Sequence, residues 1–261
     1  MKFNVGDNRA SAIIYGVAPV VEALRAGTRS VERVLIAEGA HHARLSGLRE
    51  AARASGVPVL RVPRAELDRL AAHANHQGVI AVVAAARYAE ATETLDRLAQ
   101  RVGTADPPLA LVLDRVEDPR NLGAIVRTAE CAGAHAVFIP TRHAAGLTEA
   151  AAKTAAGALE YVPVARVANI AQLAEEFKRR HIWTVGTASD GEMVYTDWDW
   201  TQPCALFLGS EGAGLRRLVR ERCDVVVRVP LRGRTESLNV SVAAGVVLFE
   251  ALRQRRAAGL V

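Results

Sequence analysis

Three short segments of this chain gather glycines and polar side chains beside apolar runs. Residues 229–245 read Val-Pro-Leu-Arg-Gly-Arg-Thr-Glu-Ser-Leu-Asn-Val-Ser-Val-Ala-Ala-Gly. A strand-like run ends at Pro230, an Arg/Gly/Thr turn follows, and Ser237 and Asn239 stand where a helix must begin. The first four N–H groups of a helix have no intrahelical partner, so this order collects donors, a hydroxyl and an amide around one small volume suited to a polar ligand. An ordinary capped helix start accounts for the same residues. Residues 113–129 leave a strand, turn at Asp118 and Pro119, and enter a helix near Asn121. Gly123 precedes Arg127 by one helical turn, and its missing side chain is expected to leave room above the guanidinium, so that Arg127 reaches a bulky partner. Residues 206–215, Leu-Phe-Leu-Gly-Ser-Glu-Gly-Ala-Gly-Leu, run an apolar strand into Gly209, Gly212 and Gly214 around the carboxylate of Glu211. Glycine there permits positive φ and close approach of the backbone to a ligand. The spacing is neither a dinucleotide fingerprint nor a P-loop, which disfavours a nicotinamide or nucleoside-triphosphate enzyme.

These segments sit at strand ends. From Leu109 onward the strands read as continuous apolar runs at Leu109–Leu113, Ala136–Ile139, Ile182–Val185, Ala205–Leu208 and Val225–Val229. Helical patterns at Leu122–Ala132, Glu149–Ala156, Ile170–Arg180 and Leu238–Arg255 alternate with them. That alternation predicts an α/β fold with a parallel sheet covered on both faces, in which ligands bind beyond the carboxyl ends of the strands. Residues 12–84 form a smaller α/β unit, with strands at Val31–Ala37, Val57–Val62 and Gly78–Ala84 and helices at Val17–Ala26 and Ala43–Ser55. Between Tyr88 and Pro108 the chain turns polar and ends in Gly-Thr-Ala-Asp-Pro-Pro, a linker signal, although Ala91–Val102 could form a helix within it. The expected organisation is a domain over 1–88, a linker over 89–108 and a second domain over 109–261.

The chain of 261 residues is 50% hydrophobic and 23% charged, ordinary values for a folded protein with a substantial core. Its net charge is +5, and of its basic residues only Lys2, Lys153 and Lys178 are lysine. Arginine's planar fork suits phosphate, although a lineage preference for arginine explains the same count. Cys131, Cys204 and Cys223 are unpaired in number and lack metal-ligand spacing, so neither a disulfide framework nor a metal site is expected. No signal-like apolar stretch opens the chain, and no window approaches 18 uninterrupted apolar residues. A cytoplasmic protein is the expectation.

Asn-x-Gly-x-x-x-Arg-Thr-Ala at 121–129, Leu-Gly-Ser-Glu-Gly-x-Gly-Leu at 208–215 and Val-Pro-Leu-x-Gly-x-x-x-Ser-Leu-Asn-Val-Ser-Val-Ala at 229–243 resemble, in order, the three motifs of the SpoU/TrmH branch of the SPOUT RNA methyltransferases. Ile-Ile-Tyr-Gly-Val-Ala-Pro-Val-Val-Glu-Ala-Leu at 13–24 and His-Gln-Gly-Val at 76–79 are similar to the L30e-like substrate-binding domain of that branch. The pairing most resembles members that methylate a guanosine 2′-hydroxyl in the peptidyl-transferase region of 23S rRNA. A tRNA 2′-O-methyltransferase, an antibiotic-resistance methyltransferase acting on a neighbouring rRNA adenosine, and a non-catalytic RNA-binding protein with the same fold are the alternatives.

The resemblance implies a C-terminal trefoil knot holding S-adenosylmethionine, and a homodimer in which two subunits complete each site. RNA is the implied partner, not DNA or a membrane. It further implies that Gly209, Val229 and Leu238 bind the cofactor through their backbones, with Leu231 beside them. Asn121, Arg127, Glu211, Ser237 and Asn239 would line the catalytic pocket. The family pattern makes Arg127 a base. Since arginine's pKa stays above about 12, fixing an RNA phosphate and stabilising the developing alkoxide is the physically easier role. In the N-terminal domain Arg9, Arg25, Arg29, Arg33, Arg44, Arg49, Arg53, Arg61 and Arg64 give the basic character that phosphate binding requires. His41, His42, His73 and His76 read as loop or hydrogen-bonded core histidines, not ligands.

Overall fold

The computed structural model describes residues 11–26, 31–40, 45–71, 75–84 and 88–260. The chain divides into two compact units, residues 1–87 and 88–261. The first contains β1 (Ser11–Tyr15), α1 (Val17–Ala26), β2 (Val31–Ala37), α2 (Ser46–Ala54), β3 (Val59–Val62), α3 (Arg64–Leu70) and β4 (Val79–Ala84). Its sheet order is β1-β4-β2-β3, with β4 antiparallel to both neighbours and β2 parallel to β3. β4 is Val-Ile-Ala-Val-Val-Ala because it is covered twice: Val79, Ala81 and Val83 pack with α1 and α2, while Ile80 and Val82 pack with Leu67 of α3. β1 and α3 were not expected from periodicity. His76 is a satisfied core histidine, its Nδ1 accepting from the Gly78 N–H at 3.0 Å and its Nε2 lying 2.8 Å from Asp68 Oδ1. Arg9, Arg29, Arg44, His41, His42 and His73 lie outside the described residues.

The second unit contains α4 (Ala91–Ala99), β5 (Leu109–Asp114), α5 (Pro119–Cys131), β6 (Ala136–Pro140), α6 (Glu149–Ala155), β7 (Val164–Val167), α7 (Ile170–Arg179), β8 (Trp183–Thr187), β9 (Met193–Val194), β10 (Cys204–Gly209), α8 (Arg217–Glu221), β11 (Val225–Arg228) and α9 (Val240–Ala257). Its sheet runs β7-β6-β5-β10-β8-β11-β9 and is parallel throughout. All six residues of β5 are buried: Leu109, Leu111 and Leu113 join the core under α5 and α9, and Ala110 and Val112 join the core under α4 and α7. On the second face Phe177 stands edge-on to Phe138 and Phe207, at centroid distances of 5.5 and 6.2 Å.

Two expectations are corrected here. Residues 89–108 are not a free linker: Leu95 and Leu98 of α4 are buried in the second unit's core, and Ala89 bridges to Ala165. Gly123 does not make room for Arg127. A Cβ on Gly123 would lie 2.4 Å from the Ala151 carbonyl oxygen and 2.8 Å from Thr154 Cβ, so the missing side chain lets α5 press against α6. Gly123→Ala is therefore expected to destabilise the fold by about 1–3 kcal/mol, the usual cost of overpacking, read from a lower denaturant midpoint at unchanged slope.

Arg255 of α9 is buried, and its guanidinium donates to four backbone carbonyls: Trp200 at 2.9 Å, Pro107 at 2.6 Å, Pro108 at 3.2 Å and Gln202 at 3.3 Å. It thereby ties the chain entering β5 to the chain entering β10. Burial pushes the Cys204 thiol up to about 11 and the Cys223 thiol to about 12, leaving both protonated at neutral pH. Among the described residues no helix is long and apolar enough to cross a membrane, and no cluster of His, Cys, Asp or Glu is placed to hold a metal.

Candidate active site

The carboxyl end of the sheet carries the site. After β5, Asp118 caps α5: its Oδ1 accepts from the Arg120 N–H at 2.8 Å, and Pro119 follows at the first helical position. This puts Asn121 in the first turn, facing the end of β10. There the chain makes a tight loop. Ser210 and Gly214 exchange backbone hydrogen bonds at 3.2 and 2.9 Å, and Gly212 and Gly214 have φ of +82° and +64°. A Cβ at Gly209 would sit 2.0 Å from the Gly214 carbonyl carbon, so only glycine allows the loop to fold back on its own strand.

A second fastening closes the base of that loop. Asp114, wholly buried at the end of β5 and in register with Gly209, accepts from the Arg216 N–H at 3.0 Å and from Arg216 Nε and Nη2 at 2.8 Å each. A buried carboxylate held by a planar fork and a backbone donor fixes position as well as charge. Neither residue stood out in the sequence, where Asp114 reads as the end of an apolar run.

Glu211, at the tip of the loop, is the hub. Its Oε1 accepts from Asn121 Nδ2 at 2.9 Å and from Asn239 Nδ2, and the Val240 N–H lies 3.5 Å away. Asn239 Nδ2 also donates to Asn121 Oδ1 at 3.1 Å, closing a ring of three side chains from three motifs. The amide of Asn239 has its orientation set from the other side. Its Oδ1 caps α9, accepting from the N–H groups of Ser241 at 2.9 Å and Val242 at 3.4 Å, so the amino group must point into the ring.

Beside the ring lies a cavity formed by the ends of β8, β10 and β11, the segment 229–238 and the first turn of α9. Gly209, Val229, Leu231, Ser237 and Leu238 all line it. Thr187, Ala188 and Ser189 line it too and were not expected. Their signal is a run of small residues directly after an apolar strand, the same one that marks 209–214. A second cavity of about 430 Å³ abuts the first and shares Ser210, Glu211 and Val240 with it.

Of the nine expected site residues the structure brings eight together in the ring or the first cavity. Arg127 is the exception. It is exposed on α5, six residues beyond Asn121 and so about 240° around the helix, and it lines neither cavity.

The first cavity suits a ligand with both an apolar face and hydrogen-bonding groups. Leu208, Val227 and Val229 offer an apolar wall, Thr187, Ser189 and Ser210 offer hydroxyls, and the bare Cα of Gly209 lets a ligand approach the backbone. A cavity at the carboxyl end of a parallel α/β sheet, rimmed by a carboxylate–amide ring, lies where sheets of this class bind a ligand. The comparisons with known proteins agree. Residues 108–249 match the SpoU rRNA Methylase family, and residues 13–89 match the RNA 2′-O ribose methyltransferase substrate binding domain. The chain is 45% identical over 245 residues to the 23S rRNA (guanosine-2′-O-)-methyltransferase RlmB of Pseudomonas syringae, covering 94% of this chain and 96% of that one. It is 42% identical over 246 residues to a Bacillus subtilis protein, YacO, assigned to the TrmH family of tRNA/rRNA methyltransferases, covering 94% and 97%. The SpoU methyltransferase AviRb of Streptomyces viridochromogenes, solved with S-adenosylmethionine, superposes with a TM-score of 0.76 at 28% identity over 97% of this chain and 96% of that one. The chain belongs to the SpoU rRNA methylase family.

Proposed function

We propose that this protein methylates the 2′-hydroxyl of a guanosine in 23S rRNA, in the cytoplasm and as a homodimer. The observation that carries this reading is the ring of Asn121, Glu211 and Asn239 at the mouth of the cofactor cavity. Relatives named for this reaction, aligned over nearly the whole chain, support the choice of RNA.

Bound S-adenosylmethionine supplies an electrophilic methyl group. Gly209, Val229, Leu231 and Leu238 would hold it, with Ser237 lining the same cavity. Glu211 and Asn239 lock the amide of Asn121 so that its remaining N–H faces the ribose. That fixes the 2′-hydroxyl in line with the methyl group, and alignment of this kind can supply about 7–11 kcal/mol of a barrier. Arg127 binds the adjoining phosphate and offsets charge developing on the 2′-oxygen. Its position on this chain puts it away from the chain's own cofactor cavity, which supports its use at a site completed by a second subunit.

The surface of α9 supports the same dimer. One side of the helix packs Ala244, Val247, Leu248 and Ala251 into the core, yet Val242 and Phe249 on the other side are each 51% exposed. A helix apolar on both sides belongs in an interior. α9 packs against α5, with Gly245 facing Thr128 next to Arg127, so a subunit covering this face also meets Arg127. Phe249→Asp is expected to yield a monomer in sedimentation and to lose methyl transfer; a wild-type protein monomeric at active concentration contradicts the shared site.

The reading is tested by incubating the protein with labelled S-adenosylmethionine and undermethylated 23S rRNA or tRNA, then mapping the 2′-O-methylated nucleotide. Label at a guanosine of 23S rRNA is expected. Label in tRNA only, or in no RNA, overturns it.

A further inference from the structure

We infer that the 430 Å³ cavity abutting the cofactor cavity is the pocket for the target base, and that Glu117 and Arg115 make it selective for guanine. This rests on the methyltransferase reading above. The cavity lies within the size range of small-ligand pockets, about 300–1,000 Å³. It shares Ser210, Glu211 and Val240 with the cofactor cavity, so a base seated in one holds its own ribose at the mouth of the other. A base seated out of its stack in such a pocket is read by hydrogen bonds to its edge.

The polar groups lining this pocket divide into those already engaged and those still available. Asn121 and Glu211 are engaged in the ring, and Asp118 Oδ1 caps α5. Glu117 forms no hydrogen bond with another described residue, and His143 Nδ1 lies 3.8 Å from its Oε1. Arg115 forms no ion pair or side-chain hydrogen bond among the described residues, and no ion pair joins it to Glu117 although both line the same pocket. Arg115 also holds a φ of +63°, a conformation that a residue with a long side chain adopts at a cost, at the point where β5 ends.

An acceptor pair and a donor fork offered together match one base. Guanine alone presents two adjacent donors, N1–H and the 2-amino group, on its pairing edge, which a carboxylate takes in parallel, and two acceptors, O6 and N7, which a guanidinium takes in parallel. Adenine offers an acceptor at N1, which would face the Glu117 carboxylate. Uracil and cytosine lack the N7 position.

The test uses RNA transcripts carrying guanosine, inosine or adenosine at the methylated position, with the wild type, Glu117→Gln and Arg115→Gly. Glycine suits a φ of +63°, so Arg115→Gly removes the guanidinium without straining the fold. Inosine lacks only the 2-amino group, and the wild type is expected to methylate it roughly 10-fold to 100-fold less efficiently than guanosine. Glu117→Gln is expected to lose a similar factor on guanosine and to narrow the gap to inosine. Arg115→Gly should lower kcat/KM for guanosine, and both variants should bind S-adenosylmethionine as the wild type does. Equal wild-type rates on guanosine and inosine, or wild-type kcat/KM in both variants, overturns the pocket while leaving the methyltransferase reading standing. No methylation of any transcript by the wild type overturns the reading itself, and the pocket with it.

Discussion

Glu211→Ala slows methyl transfer roughly 100-fold, the scale of loss expected when a reacting group is misplaced by about an ångström. Asn121 sits on α5, Asn239 caps α9, and Glu211 on the loop after β10 accepts from both. Without the carboxylate the two amino groups and the Val240 N–H turn to water, and the amides lose the acceptor that sets their direction. The effect falls on catalysis because the cap of α9 survives: Asn239 Oδ1 still accepts from Ser241 and Val242. Glu211 is exposed, so water replaces its bonds and global stability changes by less than about 1 kcal/mol. Glu211→Gln, which keeps one acceptor oxygen, should fall between. Single-turnover rates at saturating cofactor and RNA separate this from binding; a Glu211→Ala rate within about threefold of wild type would show that the ring does not organise the reaction.

Arg255→Met is expected to cost about 3–5 kcal/mol of stability, because buried acceptors left without a donor cost about 1–3 kcal/mol each. Methionine keeps most of the volume, so the loss reports hydrogen bonding more than a cavity. Four carbonyls lose their donor at once, those of Pro107, Pro108, Trp200 and Gln202. Burial pulls the guanidinium pKa below its usual value, and the carbonyl oxygens are what make the buried cation tolerable. Arg255→Lys should recover little, because one ammonium cannot span four acceptors arranged for a fork. Equilibrium unfolding checks this: variants within about 1 kcal/mol of wild type would mean that water or rearranged backbone replaces the guanidinium.

The parts of this fold legible in the sequence are those whose burial is complete. β5, β6 and β10 are covered on both faces and therefore read as unbroken apolar runs. β7 has four residues with Arg166 inside it, β9 has two, and α8 spans barely one turn, so none leaves a periodic signal. In the site, Asn121, Glu211 and Asn239 were legible because each stands at a strand-to-helix turn, and such turns converge at one edge of a parallel sheet. The misread residue is Gly123 on α5. Helical spacing puts Gly123 and Arg127 on neighbouring faces, but it does not reveal that α6 occupies the space above Gly123. Arg255 was hidden among Arg253 and Arg256; what sets it apart is its place on the stripe of Ala244, Val247, Leu248 and Ala251.

The ring joins residues 118 positions apart, and its last member is Asn239. During synthesis the substrate-binding unit and all seven strands of the second unit's sheet emerge before Asn239 and α9 exist. A nascent chain that ends at β11 therefore holds two of the three ring members and has neither the 229–238 wall of the cofactor cavity nor the helix that orients its final amide. The ring and the cavity are complete only once α9 is in place, so a chain that stops short of it lacks the site.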